Sequence, residues 1–356
     1  MAQTPDQWLK SCGLPREDAR LLARKATGWG AAELETRGDR PFTPRQEREL
    51  GELLRQRRLG RPLSYVLGEK EFYGRTFFVD ESTLIPRPDT ETLIDEALRA
   101  AAGRLSDLGF GAQGARQGQK GQEGHEDREG QATRKGAAEA PGALGASGSL
   151  SVSDAPRFRI LDLGTGSGAI AVTLALEWEE RRGAFGVGAL GAGLGPGFDF
   201  RFPADAPRAL VVATDLSPKA LAVAARNARA LGAEVRFAQG DWFGALSPGE
   251  PPFDMIVSNP PYVREGDAHL SNPDLAKEPA MALVSGADGL DGLRRIAGEA
   301  PKWLKPGGVL LLEHGFDQGP AAARILRESG FGFARDARDL AGRDRVAVGR
   351  LSFSRP

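Results

Sequence analysis

The tetrapeptide "NPPY", Asn259 to Tyr262, stands directly after the apolar run "FDMIV" (253–257). Proline has no backbone donor and cannot continue a central strand, so the run ends there. Two acceptors remain at that end, the Asn259 side-chain oxygen and the Pro260 carbonyl. Together they can take both N–H bonds of a planar NH2 group on an sp2 carbon, as in a carboxamide or adenine. The nitrogen of such a group is poorly nucleophilic, because its lone pair is delocalised. It has to be aimed at a strong electrophile, and Pro260 and Pro261 keep the aiming carbonyl fixed in advance. Tyr262 can pack against the planar group. This chemistry needs no strong general base, since the nitrogen becomes acidic as it attacks.

A second motif supplies a ligand cradle. In "DLGTGSGA" (162–169), Gly164, Gly166 and Gly168 follow a strand and open a helix, so backbone can approach a ligand at the carboxyl edge of a sheet. Thr165 and Ser167 lie between them. The spacing also satisfies G-x-G-x-x-A, so this motif alone does not separate a nicotinamide cofactor from S-adenosylmethionine. Asp215 ends the next strand, where a carboxylate can accept both hydroxyls of a ribose. Its distance from Gly164 exceeds the roughly 20 residues usual for that pairing, and a Gly-rich loop accounts for most of the excess. In "GDWF" (240–243), Asp241 can bind an adenine amino group and Trp242 can cover the ring. The plain structural alternatives are a tight turn with no ligand, a helix-capping Asp215 and a Trp242 packed on the sheet. His125, His269 and His314 form no cluster with cysteine, so no metal is expected. His314, in "LLLEHG", is expected to be structural.

These residues need a sheet to hold them. Strands are predicted at "FRILDL" (158–163), "ALVVATD" (209–215), "EVRFAQGD" (234–241), "FDMIVSN" (253–259) and "GVLLLEHG" (308–315), with a closing pair "FGFARDARD" and "RVAVGRLSF". Helices "SGAIAVTLALEW" and "SPKALAVAARNARALG" alternate with them, the latter capped by Ser217 with Pro218 at its first position. Continuous apolar strands alternating with helices predict an α/β fold, a mostly parallel sheet covered on both faces. Residues 1–68 read as a small all-helical domain: "REDARLLARKATG" ends on Gly28, and Thr43, Pro44 and Gln46 form a helix start with Leu50, Leu53 and Leu54 on one face. A hairpin around Gly74 fills 69–82, and Asp89 or Thr90 is expected to cap the helix that begins "TETLIDEALRAA". The segment 103–156, rich in Gly, Gln, Ala and charge, is expected to be a disordered insertion. A Gly-rich loop is expected at about 183–207.

Bulk properties narrow the class. The chain has 356 residues with 40% hydrophobic content, enough for two domains, and a formal net charge of -1 that gives no overall pull toward nucleic acid or anionic membrane. Cys12 is the one cysteine, which fits a reducing compartment. No apolar stretch approaches the roughly 20 residues needed to cross a bilayer, and "MAQTPDQWLK" lacks a signal peptide's apolar region. A cytoplasmic monomer without membrane or nucleic-acid contact is expected.

Taken in order, "PLSYVLGEKEFYG" (62–74), "TLIPRPDTE" (83–91), "ILDLGTGSGAIA" (160–171), "DWF" (241–243), "IVSNPPYV" (256–263), "EPAMALVSGADGL" (278–290) and "LLLEHG" (310–315) make the chain similar to the class I, S-adenosylmethionine-dependent methyltransferases. More closely, it resembles the peptide chain release factor N(5)-glutamine methyltransferase family. "NPPY" is shared with many amino-methyltransferases, whereas "IPRPDTE" with the helical N-terminus is far more specific. The resemblance implies a Rossmann-like seven-stranded sheet in 83–356 and methylation of the glutamine in the Gly-Gly-Gln motif of release factors. It also implies that Gly164 to Gly168, Asp215, Asp241, Trp242 and Asn259 bind S-adenosylmethionine, while Asn259, Pro260, Pro261 and Tyr262 hold the glutamine. The "IPRPDTE" loop would help close the cofactor pocket, and the helical domain would dock the release factor. The two insertions depart from the family pattern, but both fall between elements, where added length costs little.

Four rivals remain. A ribosomal protein glutamine methyltransferase would carry nearly the same motifs. A DNA adenine N(6)-methyltransferase would bring a basic recognition domain, usually after the sheet. A non-catalytic binding module would be signalled by a lost Asn259 or glycine turn, and both are intact. A nicotinamide-dependent oxidoreductase leaves "NPPY" unexplained.

Overall fold

A computed structural model of the chain describes residues 3–109, 157–183 and 201–353. Five helices come first: α1 (Pro5–Ser11), α2 (Arg16–Thr27), α3 (Ala31–Thr36), α4 (Pro44–Arg58) and α5 (Leu63–Leu67). The expected start of α4 is present, with Thr43 and Gln46 exchanging side-chain and backbone hydrogen bonds at 3.3 and 2.9 Å. Thr4 and Gln7 repeat the device on α1. Gly28 and Gly68 end α2 and α5 in the left-handed conformation. Trp8, Leu22, Leu34, Phe42, Leu50 and Leu53 bury their side chains together between these helices.

The hairpin follows as β1 (Glu69–Phe72) and β2 (Arg75–Phe78), paired antiparallel. Its two-residue turn has positive φ at both Tyr73 (51°) and Gly74 (71°), the geometry that matches strand twist. Tyr73 is held in this conformation by its partners: its N–H donates to Glu91 at 2.9 Å and its hydroxyl to Asp95 at 2.8 Å. Both acceptors sit on α6 (Glu91–Asp107). That helix runs to Asp107, past the expected start of the insertion at 103, because Arg104 and Leu105 are buried on its packed face. The rest of the expected insertion, 110–156, lies outside the described residues, as does 184–200 of the Gly-rich loop.

The large sheet contains β3 (Phe158–Leu163), β4 (Ala209–Asp215), β5 (Val235–Gln239), β6 (Phe253–Ser258), β7 (Leu304–Glu313), β8 (Phe333–Arg338) and β9 (Asp344–Arg350). Their order is β5-β4-β3-β6-β7-β9-β8, parallel from β5 to β7, with β9 antiparallel to both of its neighbours. The chain leaves β3 first toward β4 and later returns to β6 on the other side, so the crevice over β3 and β6 is the switch point where an open sheet binds ligands.

Strand side chains alternate between two cores. Ile160, Val211, Met255, Val257 and Leu311 face α6, α7 (Ala169–Gly183) and α8 (Pro218–Leu231). Leu161, Leu163, Ile256, Leu310 and Leu312 face α9 (Asp291–Trp303) and α10 (Gly319–Glu328). Ser217 caps α8 as expected, its hydroxyl accepting from Ala220 at 3.2 Å. Phe202 packs its ring 4.4 Å from that of the fully buried Trp178, whose indole N–H donates to Pro207 at 3.0 Å. The expected Gly-rich loop is therefore fixed to the core by residue 202.

Candidate functional site

Paired registers put the two motifs side by side. Leu163 is opposite Ser258 at the carboxyl ends of β3 and β6, and the Ser258 hydroxyl donates to the Leu163 carbonyl at 2.7 Å. Gly164 and Asn259 are the next residues on each strand, so the glycine turn and "NPPY" open into one crevice. That crevice is a cleft of about 300 Å³ whose walls include Gly164, Gly166, Asp215, Trp242, Asn259 and Pro261.

On the β3 side the cleft is built from backbone. Gly164, Gly166 and Gly168 all have positive φ, at 70, 55 and 81°. A Cβ at Gly168 would meet Ala224 of α8 at 3.0 Å, so this glycine serves close packing; a Cβ at Gly166 would meet nothing within 4 Å and would stand in the open cleft. Asp215 holds the turn in place: one carboxylate oxygen accepts from Gly166 N–H at 2.9 Å and the other from Ser217 N–H at 2.8 Å. Each oxygen keeps a further lone pair for a ligand hydroxyl. Asp162, wholly buried beneath, accepts from the Thr165 hydroxyl at 2.6 Å, while its Oδ1 completes no hydrogen bond of ordinary geometry. Burial pushes this carboxyl up to about 7.

Trp242 lines the same side, its ring 3.4 Å from where a Gly164 Cβ would lie, and its φ of 49° is rare for a bulky residue. That strained backbone aims the indole across the glycine turn. Asp241 borders the cleft, but its carboxylate also pairs with Arg295 at 2.7 Å on α9. A plain structural partner thus accompanies the expected ligand role.

On the β6 side the cleft is built from side chains. Asn259 Nδ2 donates to Thr90 Oγ1 at 3.2 Å. Pro261 lines the cleft, whereas Pro260 is buried behind it. The Tyr262 hydroxyl donates to Glu313 at 3.3 Å, at the end of β7. Burial and the Glu313 charge raise the phenol well above its ordinary range. The segment after the tetrapeptide is clamped: Gln318 donates to the Tyr262 carbonyl at 3.0 Å, and Gly289 passes so close that a Cβ there would lie 2.3 Å from that oxygen.

The "IPRPDTE" loop roofs the cleft with Leu84, Pro86 and Arg87. It is tied down by the buried Glu278, which accepts from Ile85 N–H at 3.0 Å and pairs with Arg87. Thr90 departs from its expected role as a cap: it occupies the cap position of α6 but makes no capping bond. Its hydroxyl is turned toward Asn259 instead. His314 is fully buried, with its ring nitrogens against the Gly315 carbonyl at 2.8 Å and the Asp336 carboxylate at 2.6 Å, a structural placement. Among the described residues, no group of three or more His, Cys, Asp or Glu is arranged to hold a metal ion.

The sequence places the "IPRPDTE" loop at the pocket, where Arg87 and Thr90 do lie, but gives neither of them a site role of its own and does not mark Asp162, Glu278 or Glu313 as site residues. A signal existed for Asp162 and Glu313, since each is a carboxylate within or at the end of an otherwise apolar strand, where burial demands a purpose. No local signal marks Thr90 or Glu278, whose partners lie 169 and 193 residues away.

Comparison with known proteins agrees with this geometry. Residues 7–68 match the family described as "PrmC N-terminal domain", and residues 155–328 match one described as "Methyltransferase domain". A release factor glutamine methyltransferase from Neisseria gonorrhoeae is 38% identical over 98% of this chain and 97% of its own length. That of Bordetella pertussis is 38% identical over 95% of this chain and 96% of its own, and that of Escherichia coli 32% identical over 96% and 94%. With a glycine-lined cleft and "NPPY" facing each other across one sheet edge, and with relatives this similar along nearly the whole chain, the protein belongs to the release factor glutamine methyltransferase family.

Proposed function

We propose that this chain transfers a methyl group from S-adenosylmethionine to the side-chain amide nitrogen of the glutamine in the Gly-Gly-Gln motif of a release factor. The observation that carries the reading is Asn259, held by Thr90 at the mouth of the cleft, one residue beyond the strand that pairs with the glycine turn. Residues and space fit the cofactor: positive-φ glycines, an open position at Gly166, a carboxylate with free lone pairs at Asp215, and an aromatic ring at Trp242.

When bound, S-adenosylmethionine supplies a methyl carbon on a positively charged sulfur. Asp215 would accept the ribose hydroxyls, Trp242 and Asp241 would border the adenine, and the turn from Gly164 to Gly168 would let backbone meet the amino acid portion. Asn259 Oδ1 and the Pro260 carbonyl would accept the two N–H bonds of the glutamine and aim its nitrogen. Tyr262, clamped by Glu313 and Gln318, would flank the amide plane. The methyl would pass to that nitrogen as its bond to sulfur broke, which would leave the sulfur neutral. The nitrogen then releases one proton to water. The roof from Leu84 to Arg87 would exclude water until transfer is complete. The helical segment 1–68 would dock the release factor away from the cleft, and Arg57 joins it to the catalytic part through Asp274 at 2.8 Å. No helix of the described residues is long and apolar enough to cross a membrane.

The test is mass spectrometry of a release factor incubated with the protein and S-adenosylmethionine, with the Gly-Gly-Gln peptide fragmented. One methyl on the glutamine is the expected result. An unmodified peptide in the presence of bound cofactor would contradict the reading and redirect it to ribosomal protein.

A further inference from the structure

An asparagine amide can face a substrate in two ways, with oxygen or with nitrogen, and only the oxygen can accept the N–H of a target amide. Something must choose. Asn259 Nδ2 donates to Thr90 Oγ1 at 3.2 Å, so the Thr90 hydroxyl oxygen acts as acceptor and its proton points elsewhere. Thr90 is buried, and it forgoes the capping bond that its position on α6 offers. Beside it is the Glu313 carboxyl, fully buried at the end of β7, whose charged form the Thr90 hydroxyl stabilises. Glu313 also accepts from Tyr262 at 3.3 Å, while its Oε2 completes no hydrogen bond of ordinary geometry.

We propose that Glu313 and Thr90 are positioning residues that set the direction of the Asn259 amide. This inference rests on the glutamine reading above. With Glu313 ionised, the Thr90 O–H is drawn toward the carboxylate, Thr90 Oγ1 must then accept from Asn259 Nδ2, and Asn259 Oδ1 is left as the acceptor for the substrate nitrogen. A protonated Glu313 can instead donate to Thr90, which frees the Thr90 proton for Asn259 Oδ1 and turns the amide the wrong way round. The same carboxyl orients Tyr262, so both polar side chains of "NPPY" are governed from one buried group.

The relay is set to respond to pH. Glu313 is pushed up to about 7, first by burial, with the Asp89 charge adding and Thr90, Arg345 and Tyr262 opposing. Arg345 comes from β9 and bridges Asp89 at 3.0 Å and Asp339 at 3.3 Å, so the charged groups around Glu313 are themselves paired. The wild-type kcat is accordingly expected to rise with pH through the neutral range.

The test uses the full chain with a Gly-Gly-Gln peptide, measuring kcat and KM separately from pH 5.5 to 9. Wild-type transfer is read first; its absence would overturn the glutamine reading and the relay with it. Given transfer, Thr90→Val keeps the side-chain shape without the hydroxyl and should lower kcat on the order of 10-fold to 100-fold, with a much smaller change in KM. Thr90→Ser should restore most of that loss. Glu313→Gln, which can donate to Thr90, should lower kcat at pH 8 and abolish the rise across neutrality. A Thr90→Val enzyme with kcat within about 2-fold of wild type, or a Glu313→Gln enzyme that keeps the wild-type pH profile, would overturn the relay. Should Glu313→Gln fail to fold, the Thr90 pair decides alone.

Discussion

The two sides of the cleft solve the same problem with different materials. Over β3 and β4 the wall is backbone: three positive-φ glycines, with Asp215 spending both carboxylate oxygens on main-chain N–H groups. Over β6 and β7 the wall is side chain: Asn259 and Thr90 line it, bonded to each other, and Tyr262 pairs with the buried Glu313 behind them. A backbone wall is sensitive to added volume and indifferent to most side-chain chemistry. A side-chain wall is sensitive to the direction of each hydrogen bond. The first suits recognition of a cofactor by shape, and the second suits aiming a weak nucleophile.

The largest expected effect breaks the side-chain wall at its tip. Asn259→Ala should lower turnover by about 100-fold or more, while calorimetry still detects cofactor binding; near-normal turnover would remove the proposed role of the tetrapeptide. Next come two glycines that separate packing from ligand space. Gly168→Ala places a Cβ 3.0 Å from Ala224 at a φ of 81° and should cost about 1–3 kcal/mol of stability in thermal unfolding. Gly166→Ala meets nothing within 4 Å, so its effect should be smaller in stability and visible in cofactor affinity. Equal losses of stability at both positions would undo this distinction.

A third prediction concerns the buried carboxyls on which both walls rest. Asp162 and Glu313 are each raised to about 7 in the folded chain from 3.8 and 4.5. The folded state therefore holds protons that the unfolded chain has released. Their contribution to stability is complete below the unfolded pKa values and is lost as pH rises through about 7. The melting temperature should fall between pH 5 and pH 8, and Asp162→Asn should make that fall shallower. An unchanged slope in the variant would show that Asp162 is not the group titrating. The smallest effect is expected at Arg295, whose pair with Asp241 is exposed. Arg295→Ala should change stability by less than about 1 kcal/mol. Asp241→Ala, by contrast, should weaken cofactor binding if Asp241 borders the adenine.

Much of this arrangement is legible in the sequence wherever the signal is local. The apolar strand, the glycine turn and "NPPY" each announce an element end within a few residues, and a parallel sheet then places those ends on one edge. Thr90 shows where locality fails. A threonine before "ETLIDEAL" reads as a helix cap, and only the folded chain reveals that Asn259, 169 residues away, claims its hydroxyl. The helix α9 is hidden for another reason: Gly292, Gly298 and Pro301 punctuate "DGLRRIAGEAPKW" like a loop, although Leu293, Ile296, Ala297 and Ala300 all pack into the core. In α10, Gly319 and Pro320 read as a turn, yet a proline in the first helical turn needs no donor and the helix begins there. The end of α6 was obscured by its buried Arg104, a charged residue in a sequence drifting toward Gly and Ser.

The most direct measurement is a structure of the full chain with S-adenosylhomocysteine and a Gly-Gly-Gln peptide. The glutamine nitrogen is expected within hydrogen-bond distance of Asn259 Oδ1 and the Pro260 carbonyl, with Asn259 Nδ2 still on Thr90. A glutamine bound elsewhere, or an Asn259 amide that presents its nitrogen to the substrate, would contradict that expectation.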